Sequence, residues 1–311
     1  MRLLVAGDTH GNTRWICDYL YPRAKELRCD GIVQLGDFGY WEHTEDGVEF
    51  LDQVNDAAVD AGIPLFWLRG NHDNVELLTA RYGNPDHRAW FGFWQVRDQI
   101  FHIPDGTAFE WQGLRLRAFG GAYSVDKEWR LKLEAKRYRA AAAREAGRRE
   151  RGLAAEPIRS TAGTIWFPGE ELTDAAMDGF LRENVGDVDV VLSHDKPRAT
   201  PADGLKDLLE CLANQDRLQR ALDHHKPRLW LHGHLHRHSD WTLHNGTRVI
   251  SLNCDDEAAH LGWRPGDTFC VLDWSAPEPG SNRGPHLRVT KGGVALVEQA
   301  AADEVAKDEA A

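Results

Sequence analysis

Five short clusters along the chain combine carboxylate, amide or imidazole side chains with a neighbouring glycine or serine: Gly7-Asp8-Thr9-His10-Gly11, Gly36-Asp37, Gly70-Asn71-His72-Asp73, Ser193-His194 and Gly233-His234-Leu235-His236. Pooled, they offer oxygen donors mixed with imidazole nitrogens, a set that suits Mn, Fe or Zn better than Ca or Mg. Residues i and i+2 of an extended backbone project to the same side, so Asp8 with His10, and His234 with His236, can each address one small volume. The adjacent glycines let backbone pass close to such a volume with no Cβ in the way. Each cluster alone is commonplace. Five in succession require a fold that gathers them.

The elements between the clusters have that character. Arg2–Gly7, Gly31–Gly36 and Ile63–Arg69 read as short buried strands, separated by helix-compatible stretches over about Thr13–Arg28 and Gly47–Ala61. Strand–helix–strand order implies parallel pairing through right-handed crossovers, with helices covering the sheet. In such sheets ligands gather beyond the carboxyl ends of the strands, and here all three strands end in polar clusters. From Trp94 to Phe119 the turn signals Pro104-Asp105-Gly106 and Gln112-Gly113 suggest antiparallel strands. A long helix follows over about Asp126–Arg151. Asp187–Leu192 and Arg228–Leu231 return to strand character, with a helix over Leu205–Asp223 between them. Asp240–Asn253 reads as a hairpin turning at Asn245-Gly246, a dipeptide suited to a type I′ turn. Phe269–Trp274 and Leu287–Val297 supply the last strands. The expected organisation is one α/β domain over residues 1–300, with a basic helical insertion at 126–152 and a flexible Ala- and acid-rich tail at 301–311.

In this order the clusters resemble the pattern of the calcineurin-like metallophosphoesterase superfamily, Asp-x-His, Gly-Asp, Gly-Asn-His-Asp/Glu, His, Gly-His-x-His, over about Met1–Asn253. The resemblance implies a four-layer αββα sandwich and two divalent ions, Mn in the first instance with Fe or Zn as alternatives. It assigns one ion to Asp8, His10, Asp37 and His236, and the other to Asp37, Asn71, His194 and His234, with Asp37 shared. A metal-bridging hydroxide would attack a phosphate mono- or diester in line, and His72 would protonate the leaving oxygen. Arg69 stands at the offset of a phosphate-binding arginine in the protein Ser/Thr phosphatase branch; its plainer reading is a strand-end arginine paired with a carboxylate. That branch continues Gly-Asp with Tyr-Val-Asp-Arg-Gly, whereas this chain has Phe38-Gly39-Tyr40-Trp41 after Asp37. A dedicated phosphoprotein phosphatase is therefore disfavoured. The orienting partner of His72 stays open, with Asp73 as a candidate. Phe38, Tyr40 and Trp41 are candidates to wall the pocket, with ordinary loop packing as the alternative, and Gly120–Ser124 is a candidate second wall.

Composition narrows the remaining classes. The 311 residues carry 37 basic and 49 acidic side chains, a formal net charge of −12, so the surface as a whole does not suit nucleic acid. Lys127–Gly152 is the exception, with ten Lys or Arg against four Glu. It reads first as a solvated helix and second as an arm for a polyanion, which keeps a nuclease as the alternative activity and nucleotide or nucleic acid among candidate substrates. A non-catalytic, protein-binding scaffold is the less favoured third reading, because every ligand position is filled. Five cysteines without close spacing suggest neither disulfides nor a metal knuckle. The apolar start Leu3–Ala6 is too short for an export signal core, and no run approaches the length of a membrane span. The expectation is a cytoplasmic protein with a phosphate-ester substrate and no membrane contact.

Overall fold

Strands β1 (Arg2–Ala6), β2 (Gly31–Gln34) and β3 (Leu65–Trp67) alternate with helices, as their unbroken apolar runs require. A strand buried on both faces has no polar side to alternate. The computed structural model describes residues 1–154, 157–158, 160–161, 163–201, 209–255, 265–276 and 285–292. The first crossover is a π-helical turn, Trp15–Leu20, running into α1 (Tyr21–Glu26). The second is α2 (Glu45–Ala61), whose start is fixed by Thr44 accepting the Gly47 N–H and whose end is Gly62 at φ +65°. After β3 come α3 (Val75–Tyr82) and the strands β4 (Trp94–Arg97), β5 (Ile100–His102), β6 (Ala108–Trp111) and β7 (Leu114–Phe119). Helices α4 (Lys127–Glu150) and α5 (Asp174–Arg182) precede β8 (Val190–Ser193), and α6 (Leu212–His225) precedes β9 (Leu229–His232). Strands β10 (Ser239–Thr242), β11 (Arg248–Ser251), β12 (Phe269–Ser275) and β13 (His286–Lys291) complete the described elements.

Two mixed sheets result, with strand orders β13-β12-β1-β2-β3-β5-β4 and β10-β11-β9-β8-β7-β6. Strands β1, β2, β3 and β5 run parallel in the first, and β7, β8, β9 and β11 in the second. Alternation of side chains along these strands builds the layers. Leu3, Val5, Val33 and Phe66 meet Leu116, Leu192, Leu229 and Leu231 between the sheets. Their sequence neighbours Leu4, Ala6, Ile32 and Trp67 face outward onto Ile16, Phe50, Leu51 and Val54. On the other sheet Val191, Trp230 and Val249 face Met177 of α5 and Leu218, Ala221 and Leu222 of α6. Helix, sheet, sheet, helix: the expected αββα sandwich is present.

Several local expectations change. The four strands of 94–119 pair antiparallel as expected, β4 with β5 and β6 with β7, but the two pairs divide between the sheets, where β5 also joins β3 in parallel. Helices α3 and α5 were not anticipated; both are short and start on side-chain caps, Asn74 and Thr173. The hairpin from β10 to β11 exists, but Asn245 keeps a negative φ. The Gly246 N–H bonds to the Leu243 carbonyl and Gly246 takes φ +87°, so the turn is followed by a glycine bulge and is not type I′. The five cysteines form no disulfide. The tail at 301–311, residues 293–297 of the last expected strand and the first residues of the Leu205–Asp223 helix lie outside the described residues. Among the described residues no helix is long and apolar enough to cross a membrane.

Helix α4, about 36 Å long at 1.5 Å per residue, forms where the basic stretch was read as helical. Its buried residues are two glutamates. One of them, Glu134, accepts the N–H groups of Thr164, Ile165 and Trp166 at 2.9, 2.9 and 3.1 Å, strapping the returning chain onto the helix. Three amides on one carboxylate outweigh any single neutral hydrogen bond. Glu134→Ala should therefore loosen residues 163–166 by about 1–3 kcal/mol and speed their amide exchange. Exchange in β1, β2 and β8 should not change; equal acceleration there would mean that the strap supports the whole fold.

Candidate metal centre

Each cluster lies just past the carboxyl end of a parallel strand: Asp8 and His10 after β1, Asp37 after β2, Asn71 and His72 after β3, His194 after β8, His234 and His236 after β9. Both sheets present those ends at one rim, so residues up to 228 positions apart come into contact. Asp8, His10 and His236 offer ligand atoms within 4.8 Å of one another, and so do Asp8, Asp37 and His194. The Asp37 carboxylate stands between the groups, 3.6 Å from His10 Nε2 through one oxygen and 3.5 Å from His194 Nε2 through the other. His236 Nε2 lies 3.0 Å from Asp8 Oδ2, and the His234 N–H donates to Asp8 Oδ1 at 2.9 Å. The rings of His194 and His234 are 5.0 Å apart. Asn71 Oδ1 lies 2.9 Å from His194 Nε2, while Asn71 Nδ2 donates to Ser124 Oγ at 3.0 Å. All seven expected ligands are gathered.

The backbone bends to achieve this. His10, Asp37, His234 and His236 all have positive φ, at 44°, 53°, 64° and 47°. Non-glycine residues hold that conformation only where surrounding structure enforces it, and such strain concentrates at functional sites. Asp73, fully buried, supplies much of the enforcement between β2 and β3. Its carboxylate accepts the N–H groups of Phe38, Gly39, Tyr40 and Gly70 at 3.2, 2.9, 2.8 and 2.7 Å. It is thereby a brace for two loops and not the orienting partner of His72. A Cβ at Gly70 would overlap the Asp37 carboxylate, and one at Gly233 would overlap that of Asp8. Those two motif glycines are thus packing requirements.

The donor set fits divalent cations. Asp8 and Asp37 are two carboxylates with about 1% exposure each, and burying them demands compensating positive charge. Burial alone would raise the Asp8 carboxyl, yet His194 and His236 hold it down to about 2. Burial disfavours charge on His236, but Asp8 outweighs it and lifts the imidazole to about 11. His194 is likewise lifted to about 9 by Asp37 and Asp8 against its burial. His234, dominated by burial, falls to about 3 and stays neutral. A divalent cation would replace the protons that the carboxylates hold on the His194 and His236 imidazoles, so loading releases protons.

His72 borders this volume. Its Nε2 is 3.8 Å from Asp37 Oδ2, and its own N–H donates to Asp37 Oδ1 at 2.8 Å. The Trp41 indole N–H donates to the His72 carbonyl at 2.6 Å, which makes Trp41 the one aromatic of its trio at the site. Phe38 and Tyr40 are core residues instead: Phe38 stacks on Trp67, and the Tyr40 hydroxyl donates to Glu42. His43 is exposed and 3.3 Å from Asn74 Nδ2. Arg69 takes the plainer of its two readings. It is buried, with Nε donating to Asp105 at 2.7 Å and Nη1 to the carbonyls of Gly169 and Glu170. Two residues at the site were not anticipated by role. Ser124 fixes the Asn71 amide, and Arg130 of α4 brings Nη2 to 3.4 Å from His72 Nε2. Ser124 lies in the stretch read as a pocket wall; the i,i+4 pair Asp126–Arg130 was the available signal for the other.

With Ser124 accepting Nδ2, the Asn71 oxygen is left facing His194. Ser124→Ala should weaken the ion assigned to Asn71, His194 and His234 by about 10-fold, the usual scale for losing a group that orients a ligand. The other ion should be unaffected in a Mn²⁺ titration. Equal weakening of both, or of neither, would remove that role.

Comparison with known proteins agrees. The family described as calcineurin-like phosphoesterase matches residues 1–238. A search of curated proteins finds no match. Among solved structures, a dimetal phosphatase from Danio rerio is 13% identical with a TM-score of 0.51, over 94% of this chain and 96% of that one. GAP50 of Plasmodium, an anchor in the inner membrane complex, is 12% identical with a TM-score of 0.47, over 94% and 84%. A phosphatase from Mycoplasma pneumoniae is 11% identical with a TM-score of 0.39, over 94% of each chain. At these identities the first likeness is one of fold.

Proposed function

The chain belongs to the calcineurin-like phosphoesterase family and is a metal-dependent phosphoester hydrolase, and from that premise we propose that it cleaves phosphate mono- or diesters at a binuclear centre. Asp8, His10, Asp37 and His236 would hold one ion, and Asp37, Asn71, His194 and His234 the other. The observation that carries this reading is the position of Asp37, with separate oxygens facing His10 and His194. When bound, the two ions neutralise phosphoryl charge and make hydroxide available near neutral pH, with Mn the first choice for this mixed donor set. Asp37 keeps the two groups of ligands in register. His72 delivers a proton to the leaving oxygen; its imidazole lies below its ordinary value through burial, with Arg130 adding to the effect and Asp37 opposing it. Trp41 and Asp37 hold the His72 main chain from two sides.

The nuclease reading would use the arginines in the later part of the basic stretch, Arg137, Arg139, Arg144, Arg148, Arg149 and Arg151. Arg148 and Arg149 instead pair with Glu145 on the same helix, at 3.6 and 3.0 Å, which supports a solvated face.

Asp37→Asn should lower the affinity for both ions together, read as metal content per chain after dialysis; loss of one ion alone would contradict the shared carboxylate. His72→Ala should keep both ions and lose about 10²- to 10⁴-fold in turnover of an aryl phosphate with Mn²⁺, the range for a general acid. Undiminished turnover would take that role from His72.

A further inference from the structure

We infer that the inserted helix α4 equips the site with a phosphoryl-binding arginine: Arg130 takes a non-bridging oxygen of the substrate and makes the centre selective for phosphate monoesters over diesters. The inference rests on the phosphoesterase reading above and deepens it to a substrate class.

Arg130 borders the cleft. Its Nη2 is 3.4 Å from His72 Nε2, which is itself 3.8 Å from Asp37. The rest of the guanidinium is held in place. Nε lies 2.8 Å from both oxygens of Asp126, and Nη1 donates to the Ile165 carbonyl at 3.0 Å. Ile165 is in turn held by Glu134. A guanidinium has five N–H groups, and these contacts engage Nε and one edge of Nη1. The contact to His72 is near the limit of hydrogen-bond distance, so the Nη2 edge retains capacity for an acceptor. The side chain keeps 20% exposure, enough to meet one. Arg69 has no comparable freedom, being buried and committed to Asp105 and two carbonyls.

Ester chemistry then sets the selectivity. A monoester dianion has three non-bridging oxygens and a diester anion has two. A binuclear centre would neutralise phosphoryl charge, and the additional oxygen and negative charge of the monoester would give a further cationic partner more to hold than the diester offers. A planar fork fixed by a carboxylate is well suited to that oxygen, and it pays little ordering entropy on contact.

The test compares wild type, R130Q and R130K, loaded with Mn²⁺, on p-nitrophenyl phosphate and bis(p-nitrophenyl) phosphate. Binding of inorganic phosphate is followed by calorimetry as a readout independent of turnover. Wild type should prefer the monoester. R130Q should lose on the order of 10- to 100-fold in kcat/KM on the monoester and less than about 3-fold on the diester, as expected when a charge-assisted contact is removed. Its phosphate Kd should rise about 10-fold with metal content unchanged. R130K, which keeps the charge without the fork, should recover part of both losses. Equal losses on the two esters, unchanged phosphate binding, or a wild-type preference for the diester would overturn the inference and leave Arg130 as the anchor of the first turn of α4. Failure of wild type to cleave either ester would instead strike the phosphoesterase reading, and phosphate binding would still report on Arg130. Should R130Q not fold, R130K alone decides, because loss of the fork must still weaken phosphate binding.

Discussion

Two carboxylates withdrawn from water within one small volume, Asp8 and Asp37, set the electrostatic terms for everything around them. Burying one such charge without compensation costs several kcal/mol, and a second nearby adds repulsion. The chain surrounds the pair with imidazoles from both sheets, so the positive charge that satisfies the carboxylates comes from β1, β8 and β9 together. The site therefore also acts as a joint between the layers. The same demand accounts for the cation-binding capacity: an acceptor-rich pocket lined by neutralisable bases attracts divalent ions.

Geometry at the rim follows from the parallel strands. Two sheets stacked face to face carry their carboxyl ends to one edge, and the turns leaving β1, β2, β3, β8 and β9 meet there. Elements that contribute no ligand still hold the arrangement. Asp73 ties the loop after β2 to the loop after β3, and Ser124, beyond β7, determines which face of the Asn71 amide turns inward. Helix α4 is tied to the returning chain by Glu134, which accepts the Ile165 N–H, and by Arg130, which donates to the Ile165 carbonyl.

The fold was largely readable because its signals are periodic. Buried strands that end in polar clusters mark where each strand stops, and the resemblance then singled out the seven candidate ligands that the fold brings to one rim. The layering came from the resemblance and not from periodicity. The pairing of β5 with β3 was not readable, since a three-residue strand carries no information about its neighbour. Arg69 could not be aimed from sequence. Which way a strand-end arginine turns depends on a carboxylate 36 positions away and on two carbonyls about 100 positions away. Arg130 and Ser124 escaped assignment for the related reason that their importance arises from what they touch across the fold. Phe38 and Tyr40 look like pocket residues in sequence because they adjoin Asp37, yet a backbone held by Asp73 sends them into the core.

The left-handed conformations at His10, Asp37, His234 and His236 have a thermodynamic corollary. Each costs on the order of 1 kcal/mol relative to a residue at ease there, so the polypeptide retains its reactive rim at the expense of its own stability. Glycine at any of the four would relax the main chain while erasing a donor. A descendant released from chemistry would thus gain robustness by shedding these side chains, and an inactive but unusually heat-resistant variant is the natural by-product of this architecture.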